Sequence, residues 1–265
     1  MADAPPSNEK QKASPSYRLP ALDRDFILSD STRGVRFLLE YQKAEETLRR
    51  WRINSTVVVF GSARVRENGP RKHAYWYAEA RAFGRIASER GGALDLVGGR
   101  RDNVIATGGG PGIMEAANRG AVDAGAPSIG FNITLPHEQE PNAYSTPELT
   151  FRFHYFAMRK MHLAMRANAL CVFPGGFGTF DELFELLTLS QTGKAPRIPV
   201  VLVDRDYWTT VVNLDRLAEE GMIAESDRTL FDYAESAEEA WSILSRKPLG
   251  ADREPPAPDR AADGA

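Results

Sequence analysis

The chain has 265 residues, of which 42% are hydrophobic and 26% charged, the proportions of a globular protein with a real core. Its formal net charge of −3 excludes a broad basic surface for nucleic acids or anionic membranes, so any bound anion must be captured locally. The one cysteine, Cys171, cannot form an internal disulfide, and no run approaches the ~20 apolar residues of a membrane span. The N-terminal segment also lacks the apolar core of a signal peptide. We therefore expect a cytoplasmic protein that binds neither nucleic acid nor membrane.

Both ends of the chain are rich in Pro, Ala and charged residues and have little apolar content. Residues 1–18 and 247–265 cannot bury enough apolar surface to offset the entropy lost on ordering, which predicts two disordered tails. No Pro/Ser-rich linker interrupts the sequence between them. We therefore predict a single domain over residues 19–246.

Between the tails, short apolar runs alternate with longer helical patterns. Helices are predicted over residues 31–52, 75–90, 113–123, 154–168, 180–192, 207–220 and 237–244. Strands are predicted over residues 56–60, 104–107, 128–133, 169–173 and 198–203. Strands that are apolar throughout and separated by helices indicate a parallel sheet covered on both faces. The predicted fold is therefore α/β, a Rossmann-like doubly wound parallel sheet with helices on both faces.

Two glycine-rich loops have the same position, directly after a predicted buried strand and directly before a helix. Their sequences are G-G-G-P-G at residues 108–112 and P-G-G-F-G-T at residues 174–179. Each loop presents unpaired N–H groups at a helix N-terminus, and such groups favour the binding of a phosphate. Both loops also follow strands, and open α/β sheets bind ligands at the carboxyl ends of their strands. Either loop alone could be only a tight turn. Two such loops together favour a nucleotide site.

The spacing of the glycines excludes two other kinds of nucleotide site. A dinucleotide site requires G-x-G-x-x-G after the first strand, where residues 61–66 read G-S-A-R-V-R. A P-loop requires Gly-Lys followed by Ser or Thr, whereas Gly193 and Lys194 are followed by Ala195. The four histidines and one cysteine form no zinc-binding pattern, and Ser62 lies outside a nucleophile elbow.

Several charged residues lie close to these loops in the sequence. Asp181 and Glu182 fall in the first turn of the helix after the second loop. Both could simply complement the helix dipole, but Glu182 comes just beyond the phosphate donors, where a ribose would lie. Arg159 and Lys160 form either a solvated face or a ligand contact on the helix leading to that loop. Glu115, after the first loop, is either a dipole-complementing acid or a ligand contact.

The motifs together resemble those of the Lonely Guy (LOG) family. Residues 174–182 match the signature P-G-G-x-G-T-x-x-E, and residues 158–161 resemble the upstream Arg-Lys element of the family. Residues 108–118 are similar to the first glycine loop of its longer branch. Two shorter stretches, residues 130–133 and 135–139, are also similar to that branch. The resemblance extends over roughly residues 56–244.

The resemblance implies a cytokinin riboside 5′-monophosphate phosphoribohydrolase, an enzyme that releases the base and ribose 5-phosphate from adenine or N6-substituted adenine nucleotides. It implies Arg159 and Glu182 as the catalytic pair, with no cofactor and no metal. It further implies that Gly109, Gly110, Gly175, Gly176, Gly178 and Thr179 surround the phosphate and ribose. We add Ser62, Gly112, Glu115 and Lys160 as candidate substrate- or phosphate-binding residues, although Glu115 departs from the short branch of the family. The resemblance also implies a homodimer or a higher oligomer, up to a hexamer.

Two alternatives to this enzyme stay open at this point. The first is a nucleotide-binding regulatory protein that keeps the fold and the loops without catalysis. The second is a lysine decarboxylase, the label that many LOG proteins have carried. A pyridoxal phosphate enzyme needs a Schiff-base lysine, and Lys160 is the only lysine near the predicted site.

Overall fold

The structure, a computed structural model, describes residues 7–96, 98–135 and 140–246. Its internal contacts divide the chain into two units, Met1–Glu45 and Glu46–Ala265. The predicted C-terminal tail and residues 136–139, part of one LOG-like stretch, lie outside the described residues, as do residues 1–6 of the N-terminal tail. The single domain over residues 19–246 stays a prediction.

The first unit consists of short helices whose side chains are mostly exposed. Helix α1 covers Glu9–Ala13, α2 covers Arg24–Leu28, and the long helix α3, Arg33–Arg50, begins in this unit. The Asp23 side chain caps α2 by accepting a hydrogen bond from the Phe26 N–H. Residues predicted as a disordered tail thus contain α1 and a 3₁₀ turn at Pro15–Tyr17, in neither of which a side chain is buried.

The second unit is built on a seven-stranded sheet in which every neighbouring pair is parallel. Its strands are β1 (Thr56–Phe60), β2 (Val104–Thr107), β3 (Ser128–Ile133), β4 (Thr150–Phe153), β5 (Ala167–Val172), β6 (Val200–Val203) and β7 (Asp232–Ala234). They lie in the order β4-β3-β2-β1-β5-β6-β7. The central strands are buried at every position, as expected where both faces of a sheet are covered. The α/β fold predicted from the sequence is confirmed.

Seven further helices complete this unit. They are α4 (His73–Arg90), α5 (Ile113–Asp123), α6 (Phe156–Met165), α7 (Phe177–Gln191), α8 (Arg205–Val211), α9 (Leu214–Glu219) and α10 (Ala237–Leu244). Helices α4, α5 and α10 contribute apolar side chains to one buried cluster against the sheet. The close approach of α4 to α5 requires glycine, since a Cβ at Gly84 would overlap the Ala117 carbonyl.

The structure corrects three details of the predicted elements. Strands β4 and β7 were not predicted, because both are short edge strands with incompletely buried side chains. The helix predicted over residues 154–168 ends at Met165, since β5 already begins at Ala167. The helix predicted over residues 207–220 is divided into α8 and α9 where the Asn213 side chain caps α9. None of the helices described is both long and apolar enough to cross a membrane.

Candidate active site

The strand order places three loops side by side at the carboxyl edge of the sheet, because β2, β1 and β5 are neighbours. Ser62, in the loop after β1, joins the two glycine-rich loops through its backbone. Its N–H donates to the Pro174 carbonyl at 3.0 Å, and its carbonyl accepts from the Ile113 N–H at 3.2 Å. Its hydroxyl accepts from the Arg64 N–H within its own loop. The predicted binding residue Ser62 therefore fixes the spacing of the two loops.

The first glycine loop has a backbone that only glycine adopts easily. Gly109 and Gly112 have φ angles of 70° and 72°. A Cβ at Gly112 would overlap the Ser62 carbonyl, and a Cβ at Gly109 would overlap the Asn132 side-chain amide. The Gly110 carbonyl accepts a hydrogen bond from Asn142 Nδ2 at 3.0 Å. The loop is thus held on all sides, and its geometry is set before any ligand binds.

A buried amide network, which the sequence analysis missed, supports this loop. Asn118 Oδ1 accepts hydrogen bonds from Thr107 Oγ1 at 2.7 Å and Asn142 Nδ2 at 3.0 Å. Asn118 Nδ2 donates to Ser128 Oγ at 2.9 Å. Buried amides with satisfied partners fix one arrangement strongly. The sequence did contain a signal for this network, because Asn118 is a polar residue among the apolar residues of α5.

The second glycine loop opens helix α7. The Thr179 and Phe180 N–H groups donate to the Gly176 carbonyl at 2.9 and 3.0 Å, and Thr179 is buried. A Cβ at Gly175 would overlap the Thr179 side chain. A Cβ at Gly176 or Gly178 would instead stand in open space, so the backbone of these two residues is accessible from that side. This is the geometry of an anion site at a helix N-terminus.

Arg159 and Glu182 meet beside both loops. Arg159 Nε donates to the carbonyl of Phe131, within β3, at 2.8 Å, and its Nη1 donates to Glu182 Oε1 at 3.2 Å. The side chains of Arg159 and Glu182 are only 12% and 6% exposed. A Cβ at Gly108 would lie within 2.5 Å of Arg159 Nη2, so the guanidinium also covers the first glycine loop. The structure therefore brings the two predicted catalytic residues together.

Burial sets the protonation chemistry of this pair. It raises the pKa of Glu182 to about 6, although the nearby Arg159 and Lys160 act to lower it. Burial also lowers the pKa of Arg159, which the attraction of Glu182 opposes. A buried carboxyl group whose pKa is raised toward neutral, beside a buried arginine, is a common feature of catalytic sites.

Lys160 belongs to a different face of the same helix. Its Nζ lies 2.8 Å from Asp181 Oδ1 and 3.0 Å from Glu185 Oε2. Burial lowers the pKa of Lys160, but these two carboxylates outweigh it and the net shift is upward. Lys160 therefore ties α6 to the outer side of α7, next to the Arg159–Glu182 pair and not in it.

Glu115 also has a structural partner. Its Oε1 accepts a hydrogen bond from the Tyr77 hydroxyl at 2.7 Å, across the contact between α5 and α4. Burial, together with this hydrogen bond, raises the pKa of Tyr77 to about 12. Glu115 thus contacts α4, and its role in ligand binding stays a prediction. Among the described residues, no group of three or more His, Cys, Asp or Glu is placed to hold a metal ion.

A second hydrogen-bond network, which the sequence analysis also missed, holds the second glycine loop, which follows β5. The buried Asp204 has a φ of 70° and accepts hydrogen bonds from Lys72 Nζ at 3.0 Å, Trp76 Nε1 at 2.8 Å and the Tyr207 N–H at 3.1 Å. Burial raises the pKa of Asp204, but the hydrogen bonds outweigh it and leave that pKa below its ordinary value. The Tyr207 hydroxyl donates to the Gly175 carbonyl at 2.6 Å. Asp204 thereby positions Tyr207, and Tyr207 holds the second glycine loop.

Known proteins share sequence with most of this chain. Residues 114–244 match the family model described as "Possible lysine decarboxylase". The chain is 31% identical over 194 residues to the probable cytokinin riboside 5′-monophosphate phosphoribohydrolase LOG4 of Oryza sativa subsp. japonica, covering 72% of this chain and 76% of that protein. It is also 31% identical over 195 residues to the phosphoribohydrolase LOG of the same plant, covering 72% of each.

More distant proteins share parts of the chain or its fold. The cytokinin riboside 5′-monophosphate phosphoribohydrolase LOG3 of Arabidopsis thaliana is 28% identical over 163 residues, covering 59% of this chain and 74% of that protein. The X-ray structure of TM1055, a structural genomics target, superposes with a TM-score of 0.51 at 23% identity, covering 73% of this chain and 99% of that one. That likeness supports the fold alone. From the identity and coverage shared with the rice proteins, the chain belongs to the LOG family.

Proposed function

We propose that this protein hydrolyses the N-glycosidic bond of a purine nucleoside 5′-monophosphate and releases the free base and ribose 5-phosphate. The base is adenine or an N6-substituted adenine. The observation that carries the proposal is the buried Arg159–Glu182 pair beside two glycine-rich loops. The names of the rice and Arabidopsis relatives, all phosphoribohydrolases of cytokinin riboside 5′-monophosphates, support it.

The phosphate is proposed to bind at the start of α7. Gly176 and Gly178 leave their backbone accessible, and Thr179 adds a hydroxyl group beside the N–H groups of the first helical turn. Binding energy from the phosphate then positions the ribose, the part of the nucleotide that reacts. The role of the first glycine loop, with Gly109, Gly110 and Gly112, is to enclose the nucleotide from the other side.

Glu182 is proposed to stabilise the transition state. As the bond from C1′ to the base breaks, positive charge develops on the ribose, and an ionised carboxylate beside C1′ and the 2′-hydroxyl stabilises it. With a pKa of about 6, Glu182 is largely ionised at pH 7. The same carboxylate can orient the water whose oxygen bonds to C1′ and accept its proton. The departing base takes up a proton from solvent and Glu182 returns the proton of the water to solvent, so that one water is consumed and the carboxylate is regenerated.

Arg159 is proposed to hold the ribosyl or anionic part of the nucleotide. Its guanidinium is anchored by the Phe131 carbonyl and covers Gly108, so it faces the cleft with fixed geometry. A planar guanidinium that is held in this way orients an anion or a pair of hydroxyls better than a flexible ammonium group. Arg159 also keeps Glu182 partly ionised despite its burial.

The decarboxylase alternative fits these residues less well. A lysine that forms a Schiff base must lose its proton easily, which requires a lowered pKa. The pKa of Lys160 is raised, because Asp181 and Glu185 hold its ammonium group. The regulatory alternative fits less well too, since burying a carboxylate beside an arginine costs free energy that nucleotide binding alone does not require.

We also propose that the protein functions as a homodimer or a higher oligomer. Helix α6, which provides Arg159, exposes Phe156 and Met165, and α7 exposes Phe184. Large apolar side chains exposed on adjacent helices favour association. An interface on α6 would lie close to the candidate site.

The decisive experiment is to incubate the protein with AMP and with N6-isopentenyl-AMP and to separate the products by chromatography. We expect free base from both nucleotides, none from adenosine, and none from the Glu182→Gln variant. Tight binding of AMP by the wild-type protein without release of base would favour the regulatory alternative. The absorbance of a bound pyridoxal aldimine in the purified protein would favour the decarboxylase.

A further inference from the structure

A second cavity lies at the amino edge of the sheet, opposite the glycine loops. It has a volume of about 610 Å³, and its walls include Arg50, Trp51, Arg52, Leu96, Arg101 and Glu148. We name it the arginine cavity. Arg52 precedes β1 and Arg101 precedes β2, whereas Ser62 and the first glycine loop follow these strands. The five residues of β1 alone separate the two edges by about 17 Å.

The residues that line the arginine cavity carry more positive than negative charge. Arg50, Arg52 and Arg101 form no ion pair with any residue that the structure describes, and neither does Glu148. Arg90, an exposed arginine elsewhere on the molecule, is by contrast paired with Glu238. Three guanidinium groups and one carboxylate leave an excess of two positive charges at one cavity. A bound anion would relieve the repulsion among them.

The backbone holds two of these arginines in fixed positions. The Arg101 N–H donates to the Arg52 carbonyl at 2.8 Å, and the Asn54 N–H donates to the Arg101 carbonyl at 2.9 Å. Arg52 has a φ of 55°, in the left-handed region that a non-glycine residue adopts only when its surroundings enforce it. Arg101 Nη1 donates to the Ala93 carbonyl at 2.7 Å, which ties the loop before β2 to the cavity. Backbone contacts therefore fix the positions of Arg52 and Arg101, whereas the side chains of Arg50 and Arg52 are exposed and accessible to a ligand.

Trp51 gives the cavity an aromatic wall. Its ring is half-buried and packs against no other aromatic ring among the described residues. Leu96, with 46% of its surface exposed, adds an apolar wall. A flat ring beside guanidinium groups is the combination that binds a nucleobase by stacking and its phosphates by charge-assisted hydrogen bonds.

We propose that the arginine cavity is a second ligand site, distinct from the catalytic site, that binds a nucleoside diphosphate. The diphosphate lies against Arg50, Arg52 and Arg101, and the base stacks on Trp51. The volume lies within the ~300–1,000 Å³ of small-molecule sites. A diphosphate matches the two excess positive charges more closely than a neutral nucleoside does. This site does not depend on the proposed hydrolase activity.

Calorimetric titration with ADP tests the proposal. In the Arg50→Gln/Arg52→Gln double variant, we expect the Kd for ADP to rise at least ~10-fold, with the rate of AMP cleavage in the absence of ADP unchanged. A matched control, Arg216→Gln/Arg228→Gln, removes the same charge from an exposed surface and should leave the Kd unchanged. An unchanged Kd in the first double variant, or no ADP binding to the wild-type protein, would overturn the proposal.

The aromatic part of the site has its own test. Trp51→Leu should weaken ADP binding several-fold and leave pyrophosphate binding unchanged, and Trp51→Phe should restore part of the loss. Melting temperatures of both variants show whether they are folded. If Trp51→Leu binds ADP as tightly as the wild type, the cavity is an anion site without a nucleobase pocket, and the nucleoside part of the proposal is wrong. The ADP and pyrophosphate binding titrations can be interpreted whether or not the protein cleaves AMP.

Discussion

Arg159 Nη1 and Glu182 Oε1, from residues 23 positions apart in the chain, lie 3.2 Å from each other in the interior of the protein. The arginine comes from α6 and the glutamate from the second turn of α7, which begins at Phe177 and therefore earlier than the sequence predicted. Between these helices the chain passes through β5 and the second glycine loop, so the pair spans the loop that is proposed to bind phosphate. This relationship generates the first two predictions.

Replacing Glu182 by Gln should remove catalysis and leave the fold intact. The amide keeps the shape of the side chain but cannot stabilise positive charge on the ribose, so kcat for AMP should fall at least ~100-fold. Asp181→Asn is the control, since Asp181 is exposed and paired with Lys160. Release of adenine is measured by chromatography. A Glu182→Gln variant that keeps most of its kcat would place the chemistry on another residue.

Replacing Arg159 by Ala should reduce kcat/KM severely, and Arg159→Lys should not restore it. A lysine cannot contact the Phe131 carbonyl, Gly108 and Glu182 together, as the guanidinium does. Lys160→Ala should be milder, because Lys160 contacts Asp181 and Glu185 on the outer side of α7. Steady-state kinetics with AMP compares the three variants. If Lys160→Ala is the crippling change, the assignment of Arg159 is wrong.

The pH dependence of AMP cleavage should report the ionisation of Glu182. The ionised form is the active one, so kcat/KM should rise as the pH increases through about 6. The positive charge of Lys160 acts to lower this pKa, so Lys160→Ala should move the midpoint to higher pH. Since the phosphate of AMP also titrates near this pH, the informative quantity is the difference between the two proteins. Identical profiles would show that Glu182 does not control the rate.

Replacing Tyr207 by Phe should loosen the second glycine loop. The change removes the hydrogen bond to the Gly175 carbonyl, worth about 1 kcal/mol, so KM for AMP should rise several-fold with a smaller effect on kcat. Tyr75→Phe is the matched control, because the Tyr75 hydroxyl also donates to a backbone carbonyl, that of Glu235. Equal effects of the two changes on KM would argue against a positioning role for Tyr207.

Replacing each of two glycines by alanine should distinguish effects on the melting temperature from effects on AMP binding. Gly109→Ala places a Cβ at a φ of 70° and against Asn132, so the melting temperature should fall. Gly178→Ala, within helix α7 and with open space around the new Cβ, should keep or raise the melting temperature. It should nevertheless raise KM for AMP, because the methyl group enters the proposed phosphate site. An unchanged KM would place the phosphate elsewhere.

The amino-acid sequence by itself determined the α/β class and most of the element positions, because these depend on local patterns of apolar residues and glycines. It also pointed to Arg159, Glu182 and both glycine loops through the motifs of the LOG family. The roles of these residues stay predictions. The short edge strands β4 and β7 were not predicted from the sequence, since a strand with one neighbour carries only a weak local pattern of apolar residues.

Only the tertiary structure decided which side chains share one site. Lys72 and Asp204 are 132 positions apart, and Asn118 and Asn142 are 24 positions apart, so no local pattern relates them. The direction of a side chain around its helix decided that Lys160 turns to Asp181 and that Glu115 turns to Tyr77. The raised pKa of Glu182 likewise requires burial by neighbouring elements, a property that arises only when the chain is folded.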